Sequence, residues 1–456
     1  MDLRVCLASQ TPPVRFRAAA PELVERYPDL TEPFSIHDLV EGEDFEWTSG
    51  GVPVMLRQLL ATAQGRKLWR ASGWVALNPT APREFLLDGT PIRSVTLETP
   101  TLAAYAACKE KMWAEIHRMP RAPITPTEFA GFTAYNWRTS REILEMLPDC
   151  DVAFVHDFQL LQTGGMIGLS GPAVLRWHIP FEPHRWSRYF RNFVVRAVEG
   201  FDAVIVSCRR DLEGLVQSGY RGIARQVYPY LDPETAKPAS PAARDELAFR
   251  LRIPDDAPVA LCVSRMDPIK GQDRLIRAFA AAHRKMPEAR LVLVGNGSFT
   301  SSKRAGLGVD KGSRWRAKLE QDARELGVAD AVRFTGYLPP ELLDAAWERA
   351  DVVVQPSAIE GFALTAVEGW LRDRPAIVSR GAGVSELVIQ GVNGYVYDPD
   401  DVEGLATHLL HVFANPDEAA RLGRRGREEA KRCDLVEGAK AESRVLEEAV
   451  ASFRRG

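Results

Sequence analysis

The chain has 456 residues, too many for one ordinary hydrophobic core, so its length alone implies about two or three domains. Hydrophobic residues make up 45% and charged residues 26%, with a formal net charge of −3; this balance excludes a nucleic-acid binder or a polybasic membrane-surface protein and leaves a small molecule as the expected partner. The six cysteines are scattered, without C-x-x-C or histidines at metal-ligand spacing, and no stretch reaches the ~18 apolar residues of a membrane span, so a cytoplasmic protein with reduced thiols and no membrane insertion is expected.

In chain order, "MDLRVCLASQ" holds only a short apolar run, and 10–47 shows weak periodicity that reads as an insertion or a swapped segment. "TSGGVPVMLRQLL" (48–60) sets a glycine pair, Gly50 and Gly51, before a helical pattern. Apolar strand-like runs follow in "DVAFVHD" (151–157), "AVLRWHI" (173–179) and "DAVIVS" (202–207). Beyond the proline-rich "YPYLDPETAKPASPA" (228–242) come "PVALCVS" (258–264), "ARLVLVG" (289–295), "AVRFTG" (331–336), "ADVVVQPS" (350–357) and "PAIVSRG" (375–381). Most are apolar on consecutive residues, as in parallel strands covered on both faces, and helical periodicity fills the gaps, as in "GQDRLIRAFAAAHRKM" (271–286). The order predicts a doubly wound α/β architecture: one domain over 1–235, a second over 236–425, and a helical segment, 426–456, that could pack on either. The Gly- and Ser-rich stretch 298–318 reads as a mobile loop over donor phosphates or as a solvated basic loop.

Doubly wound halves accept ligands at the carboxyl ends of their strands. After "PVALCVS", the segment "RMDPIKGQDRLIRAF" puts Arg265 in a loop and Lys270 at a helix start, a planar fork and a mobile point charge that suit a diphosphate but also occur as ordinary surface charges. In "QPSAIEGFALTAVEGW" (355–370), Glu360 follows a buried strand and Gly361 allows close backbone approach. The amides of Phe362, Ala363 and Leu364, where a helix opens, are expected to face a ligand there, and Glu368 lies about one turn into the helix. Carboxylates so separated can hold hydroxyls of two different rings; the same spacing also suits a helix-capping glutamate and a solvated helix face.

Over 258–399, the ordered segments "SRMDPIKG", "LVLVGNG", "VRFTGYLP", "ADVVVQPSAIEGFALTAVEG" and "PAIVSRGAGVSELVIQGVNGYVYDPDD" resemble a retaining glycosyltransferase of the GT-B fold, family four, with its E-x7-E motif at Glu360 and Glu368. The resemblance implies two Rossmann-like domains facing across a cleft, Arg265 and Lys270 on the donor diphosphate, Glu368 on the ribose hydroxyls, Glu360 on the donor sugar, and Gly336 and Tyr337 beside the base. It also implies that Gly50 and Gly51 form the glycine loop reaching the diphosphate from the other domain, although here a long segment separates them from the first strand. "VHDFQLLQTGG" (155–165) and "RWHIPFEPHRW" (176–186) are similar to the trehalose-forming synthases of this family and to trehalose-6-phosphate synthases. That similarity implies His178 near the sugar C6 hydroxyl and the reacting centre, with His156 and Asp157 lining the acceptor pocket rather than forming a mere strand-end hydrogen-bonded pair.

The implied chemistry is α-retaining transfer from a nucleoside-diphosphate glucose, the acceptor hydroxyl attacking from the face of the departing phosphate. Glucose is the expected acceptor and trehalose the product; a sugar phosphate, a glycerate-type compound or a lipid are alternatives, and a non-catalytic nucleotide-sugar-binding subunit or an epimerase are alternatives of other classes. No D-x-D motif is expected to follow a strand and hold a metal, so Arg265 and Lys270 are expected to replace a metal, and no cofactor is expected. The donor base and the choice between monomer and homodimer stay open.

Overall fold

The consecutive apolar runs form parallel strands covered on both faces: every residue of Val152–His156, Ala203–Val206, Val352–Gln355 and Ala376–Ser379 is buried. The structure, a computed structural model, describes residues 3–48, 50–297 and 309–455. Its contacts divide the chain into one unit of Met1–Tyr228 with Leu435–Gly456 and a second of Pro229–Asp434.

The second unit is built on a six-stranded parallel sheet in the order Val332–Gly336, Arg290–Val294, Val259–Val263, Val352–Gln355, Ala376–Ser379, Gly394–Tyr397. In chain order this is 3-2-1-4-5-6, a doubly wound sheet whose winding reverses between Val259–Val263 and Val352–Gln355. Loops leaving the carboxyl ends of those two strands turn to opposite faces, the place where such sheets accept ligands.

The first unit has a nine-stranded sheet: Ile223–Gln226, Ala203–Val206, Ala173–Arg176, Val152–His156, Arg4–Ser9, Arg70–Leu77, Thr90–Val95, Glu84–Leu87, Phe34–Ser35. Its winding reverses between Arg4–Ser9 and Val152–His156, and only Glu84–Leu87 runs antiparallel to its neighbour Thr90–Val95. The short run read in "MDLRVCLASQ" is thus a central strand, paired on both sides, with Val5, Cys6, Leu7 and Ala8 wholly buried. Segment 10–47 is an insertion within this unit. Val14–Phe16 and Phe45–Trp47 pair as an antiparallel ribbon, and the Thr48 amide donates to the Pro13 carbonyl (3.0 Å), returning the chain to the carboxyl end of Arg4–Ser9 before helix Gly51–Gly65. That return leaves Gly50 and Gly51 far from the first strand in sequence, but they follow closely on Thr48, which pairs with Pro13.

The unit boundaries differ from the 235/236 and 425/426 read from the sequence. The proline-rich stretch belongs to the second unit because its backbone is tied there: Leu231 N donates to Cys433 O (2.9 Å) and Ala239 N to the Glu348 carboxylate (2.8 Å). Helix Pro416–Ala430 also packs in the second unit, whereas Leu435–Phe453 packs on helix Gly51–Gly65 and on strands Val152–His156, Ala173–Arg176 and Ala203–Val206 of the first. All six cysteines are free and buried, and among the described residues no helix is long and apolar enough to cross a membrane.

Candidate functional site

At the winding reversal of the second sheet, the loop after Val259–Val263 carries Arg265 and Lys270, and the loop after Val352–Gln355 carries Glu360. Asp267 caps the turn Pro268–Lys270 by accepting from the Ile269 amide (3.2 Å), and Gly271 then opens helix Gln272–His283 at φ +70°. A Cβ on Gly271 would stand 2.1 Å from the Pro356 carbonyl oxygen, so only glycine lets the two loops touch. Across that contact the Ala358 amide donates to the Ile269 carbonyl (3.2 Å). The Lys270 ammonium consequently donates directly to the Glu360 carboxylate, which the Ser357 hydroxyl also reaches (3.4 Å). Arg265 is half-buried, and its carbonyl accepts from the side-chain amide of Gln272 (2.7 Å). Gln272, wholly buried, also donates to Ser264 Oγ (2.9 Å) and accepts from Trp315 Nε1 (3.0 Å), bracing the loop that holds the arginine.

Beyond Glu360, whose amide donates to the Gly381 carbonyl (3.1 Å), come Gly361 and the buried Phe362, whose carbonyl accepts from Val384 N (2.9 Å). Helix Leu364–Leu371 begins where the sequence predicts, with Ala363 at its N-cap in a left-handed conformation, φ +83°, which costs a residue with a side chain about 1–2 kcal/mol. Glu368, one turn on, is half-buried. Burial raises the pKa of its carboxyl, with Arg372 acting against the rise and Asp344 with it. Arg372 directs its donors to the Glu368 carbonyl (3.2 Å), the Thr235 carbonyl (3.2 Å) and the Asp344 carboxylate, leaving the Glu368 carboxylate its capacity to accept from a ligand. Gly336, φ +70°, ends its strand with its carbonyl accepting from Gly295 N (2.9 Å), and Tyr337 beside it is exposed.

In the first unit, His156 ends the strand Val152–His156 and His178 lies just past Ala173–Arg176, on the neighbouring strand. Their rings meet, His156 Nδ1 standing 3.0 Å from His178 Nε2. Burial holds both imidazoles well below their ordinary pKa, helped by the nearby Arg176 cation, so both are neutral at pH 7. Asp157, at φ +73°, accepts from the His178 amide (3.5 Å), and burial pushes its carboxyl up to about 7 although the Phe158 and His178 amides favour its charged form. The strand-end pair is therefore His156 with His178, not His156 with Asp157. Arg176, an apparent break in an apolar run, is fully buried, with its guanidinium on Glu442 (3.1 Å) of the last helix and on the Val206 (3.1 Å) and Val227 (2.8 Å) carbonyls. Gly50, at φ +123°, caps helix Gly51–Gly65, and a Cβ on Gly51 would meet nothing within 4 Å.

The structure thus groups Arg265, Lys270, Gly336, Tyr337, Glu360 and Glu368 in the second unit, and Gly50, Gly51, His156, Asp157 and His178 in the first. Of the loop read over 298–318, the first part lies outside the described residues, and from Val309 the chain is not loop but helix, Val309–Glu325. Contrary to the expectation that no D-x-D follows a strand, Asp398 and Asp400 stand in that spacing after the strand Gly394–Tyr397, where they pair with Arg380 (2.7 Å) and Arg274 (3.4 Å). Gln272, Ser357 and Arg176 escape a sequence reading because each looks like a polar interruption until its partners are known.

Residues 243–429 match the family model described as glycosyl transferases group 1. The GDP-mannose-dependent alpha-(1-6)-phosphatidylinositol monomannoside mannosyltransferase of Mycolicibacterium smegmatis is 32% identical over 206 residues, 44% of this chain and 49% of that one. The D-inositol 3-phosphate glycosyltransferase of Saccharomonospora viridis is 34% identical over 236 residues, 50% of this chain and 51% of that one. The chain therefore spans about half the length of these curated relatives. Among solved structures, the trehalose-6-phosphate synthase OtsA is similar with a TM-score of 0.76 over 97% of this chain and 99% of that one, at 16% identity. That similarity shows the fold, the two-domain α/β GT-B architecture.

Proposed function

We propose that the chain is a retaining glycosyltransferase that moves an α-glucosyl group from a nucleoside-diphosphate glucose to a hydroxyl of glucose, giving trehalose. The observation that carries this reading is the Lys270–Glu360 pair, a cation and a carboxylate held side by side at the winding reversal of a doubly wound sheet. The group 1 match over 243–429 supports the transfer, and the likeness of "VHDFQLLQTGG" and "RWHIPFEPHRW" to trehalose-forming synthases supports the glucose acceptor.

Departure of the diphosphate puts negative charge on phosphate and positive character on sugar C1. Lys270, oriented by its contact with Glu360, and Arg265 would meet the first, both partly shielded from water, which is where fixed charges act most strongly. Glu360, beside Lys270, would favour the positive sugar. The C1–O bond to phosphate breaks as the acceptor oxygen bonds to C1 from the same face, and the acceptor's proton passes to the departing phosphate oxygen, so no protein base is required. Glu368, with its carboxylate uncommitted, would accept from the ribose hydroxyls. The protein cations take the part a metal ion would play, and no cofactor is proposed.

A second reading, transfer to an inositol-type acceptor, rests on what the two curated relatives act on. A donor-by-acceptor matrix tests both: UDP-, ADP- and GDP-glucose and GDP-mannose against glucose, glucose 6-phosphate, glycerate and inositol 3-phosphate, with and without EDTA, read by released nucleoside diphosphate and product mass. Trehalose formed in EDTA supports the proposal, and a glycosylated inositol product replaces its acceptor. Donor binding without any transfer would leave a binding subunit. Activity lost in EDTA and restored only by a divalent metal would overturn the role given to Arg265 and Lys270.

A further inference from the structure

We infer that His156 is a positioning residue that fixes the tautomer of His178: His156 Nδ1–H donates to His178 Nε2, so His178 carries its own proton on Nδ1 and presents a neutral hydrogen-bond donor.

The two nitrogens are 3.0 Å apart, and between neutral rings one of them must hold the proton. The choice is decided at the far end of His156. If His178 were the donor, His156 would carry its proton on Nε2, which is buried with no hydrogen-bond partner in a residue 1% exposed. An orphaned buried N–H is costly and is rarer in folded proteins than an acceptor left short of partners. With the proton on His156 Nδ1, His178 Nε2 must accept, and the remaining proton of His178 goes to Nδ1. Free imidazole side chains favour the other tautomer, Nε2–H, so the fold holds His178 against its intrinsic preference.

The pair is held rigidly. His156 packs on the Phe154 ring, centroids 4.3 Å apart, and the His178 backbone amide donates to Asp157 Oδ1 (3.5 Å). His178 is half-buried, and its Nδ1, unlike His156 Nε2, is not among the buried atoms left without a partner. A neutral N–H there donates to an oxygen and cannot take a proton from it. Assigning that oxygen to a sugar hydroxyl rests on the proposed function; the tautomer does not.

The test uses the full chain with its eight histidines 15N-labelled and long-range 1H–15N correlation spectra, His178 being assigned by the signal lost in His178→Asn. Expected for the ligand-free protein is a protonated Nδ1 and a bare Nε2 on His178. In His156→Phe, His178 should revert to Nε2–H; in His156→Asn, whose side-chain amide can donate from about the place of the imidazole Nδ1, it should keep Nδ1–H. Turnover follows the same order: kcat/KM falls about ten- to a hundredfold in His156→Phe, the worth of one oriented hydrogen bond, and recovers in His156→Asn. Nε2–H on His178 in the unaltered protein, or Nδ1–H retained in His156→Phe, overturns the inference. If His156→Phe fails to fold, the unaltered protein and His156→Asn decide it. Should no donor and acceptor react, the proposed function falls while the tautomer result still stands or fails by itself.

Discussion

Glu360→Gln keeps the shape of the side chain and removes its charge, separating what the Lys270–Glu360 pair does for the fold from what it does for the reaction. The two side chains are 11% and 21% exposed, which places the pair between surface ion pairs, worth under about 1 kcal/mol, and buried ones, whose disruption costs about 3–5 kcal/mol. A loss of about 1–2 kcal/mol in unfolding free energy is expected. For the reaction, positive character on the sugar grows only as its bond breaks, so the missing charge should cost about 2–4 kcal/mol of barrier, or about thirty- to a thousandfold in kcat. The direct contact also gives binding a sign. Glu360 neutralises Lys270, so the glutamine variant leaves the ammonium to a phosphate, and free nucleoside diphosphate should bind as tightly as to the unaltered protein or more tightly. Calorimetry with free nucleotide, steady-state rates and urea unfolding measure the three effects. An unimpaired kcat, or nucleotide affinity lost in step with rate, would refute the division of labour between these two residues.

Glu368→Ala should weaken free nucleotide binding about ten- to a hundredfold while changing kcat little, because a ribose contact is made in ground and transition states alike; equal affinities by calorimetry would remove Glu368 from the site. Glu442→Gln leaves the fully buried Arg176 without its counter-charge and should cost about 3–5 kcal/mol in urea unfolding, much of which the double variant Arg176→Met with Glu442→Leu should restore. Asp157 has a folded pKa raised from 3.8 to about 7, so its contribution to stability is fully present below about pH 4 and is lost as pH rises to about 7, up to about 4 kcal/mol. Asp157→Asn should therefore gain on the unaltered protein across that window, and parallel stability profiles from pH 4 to 8 would contradict the buried carboxyl.

Runs such as 151–157, 202–207 and 350–357 were legible because a strand covered on both faces must be apolar at consecutive positions whatever its neighbours are. The Glu360-to-Glu368 half of the site was legible for a similar reason, since a strand end, a glycine and a helix start hold the two carboxylates by covalent connection alone. Nothing local announces a partner far along the chain. Lys270 meets Glu360 across 90 positions only because the winding of the sheet makes Val259–Val263 and Val352–Gln355 neighbours and Gly271 lets their loops touch. The same holds for His156 and His178 at the ends of adjacent strands, and for Arg176, whose counter-charge arrives with the last helix. Arg4–Ser9, too short to stand out at the start of the chain, is a central strand because two others flank it. Composition and periodicity report how deeply a residue is buried, which each stretch expresses by itself; which buried polar group faces which is a property of strand order, and strand order exists only once the chain has folded.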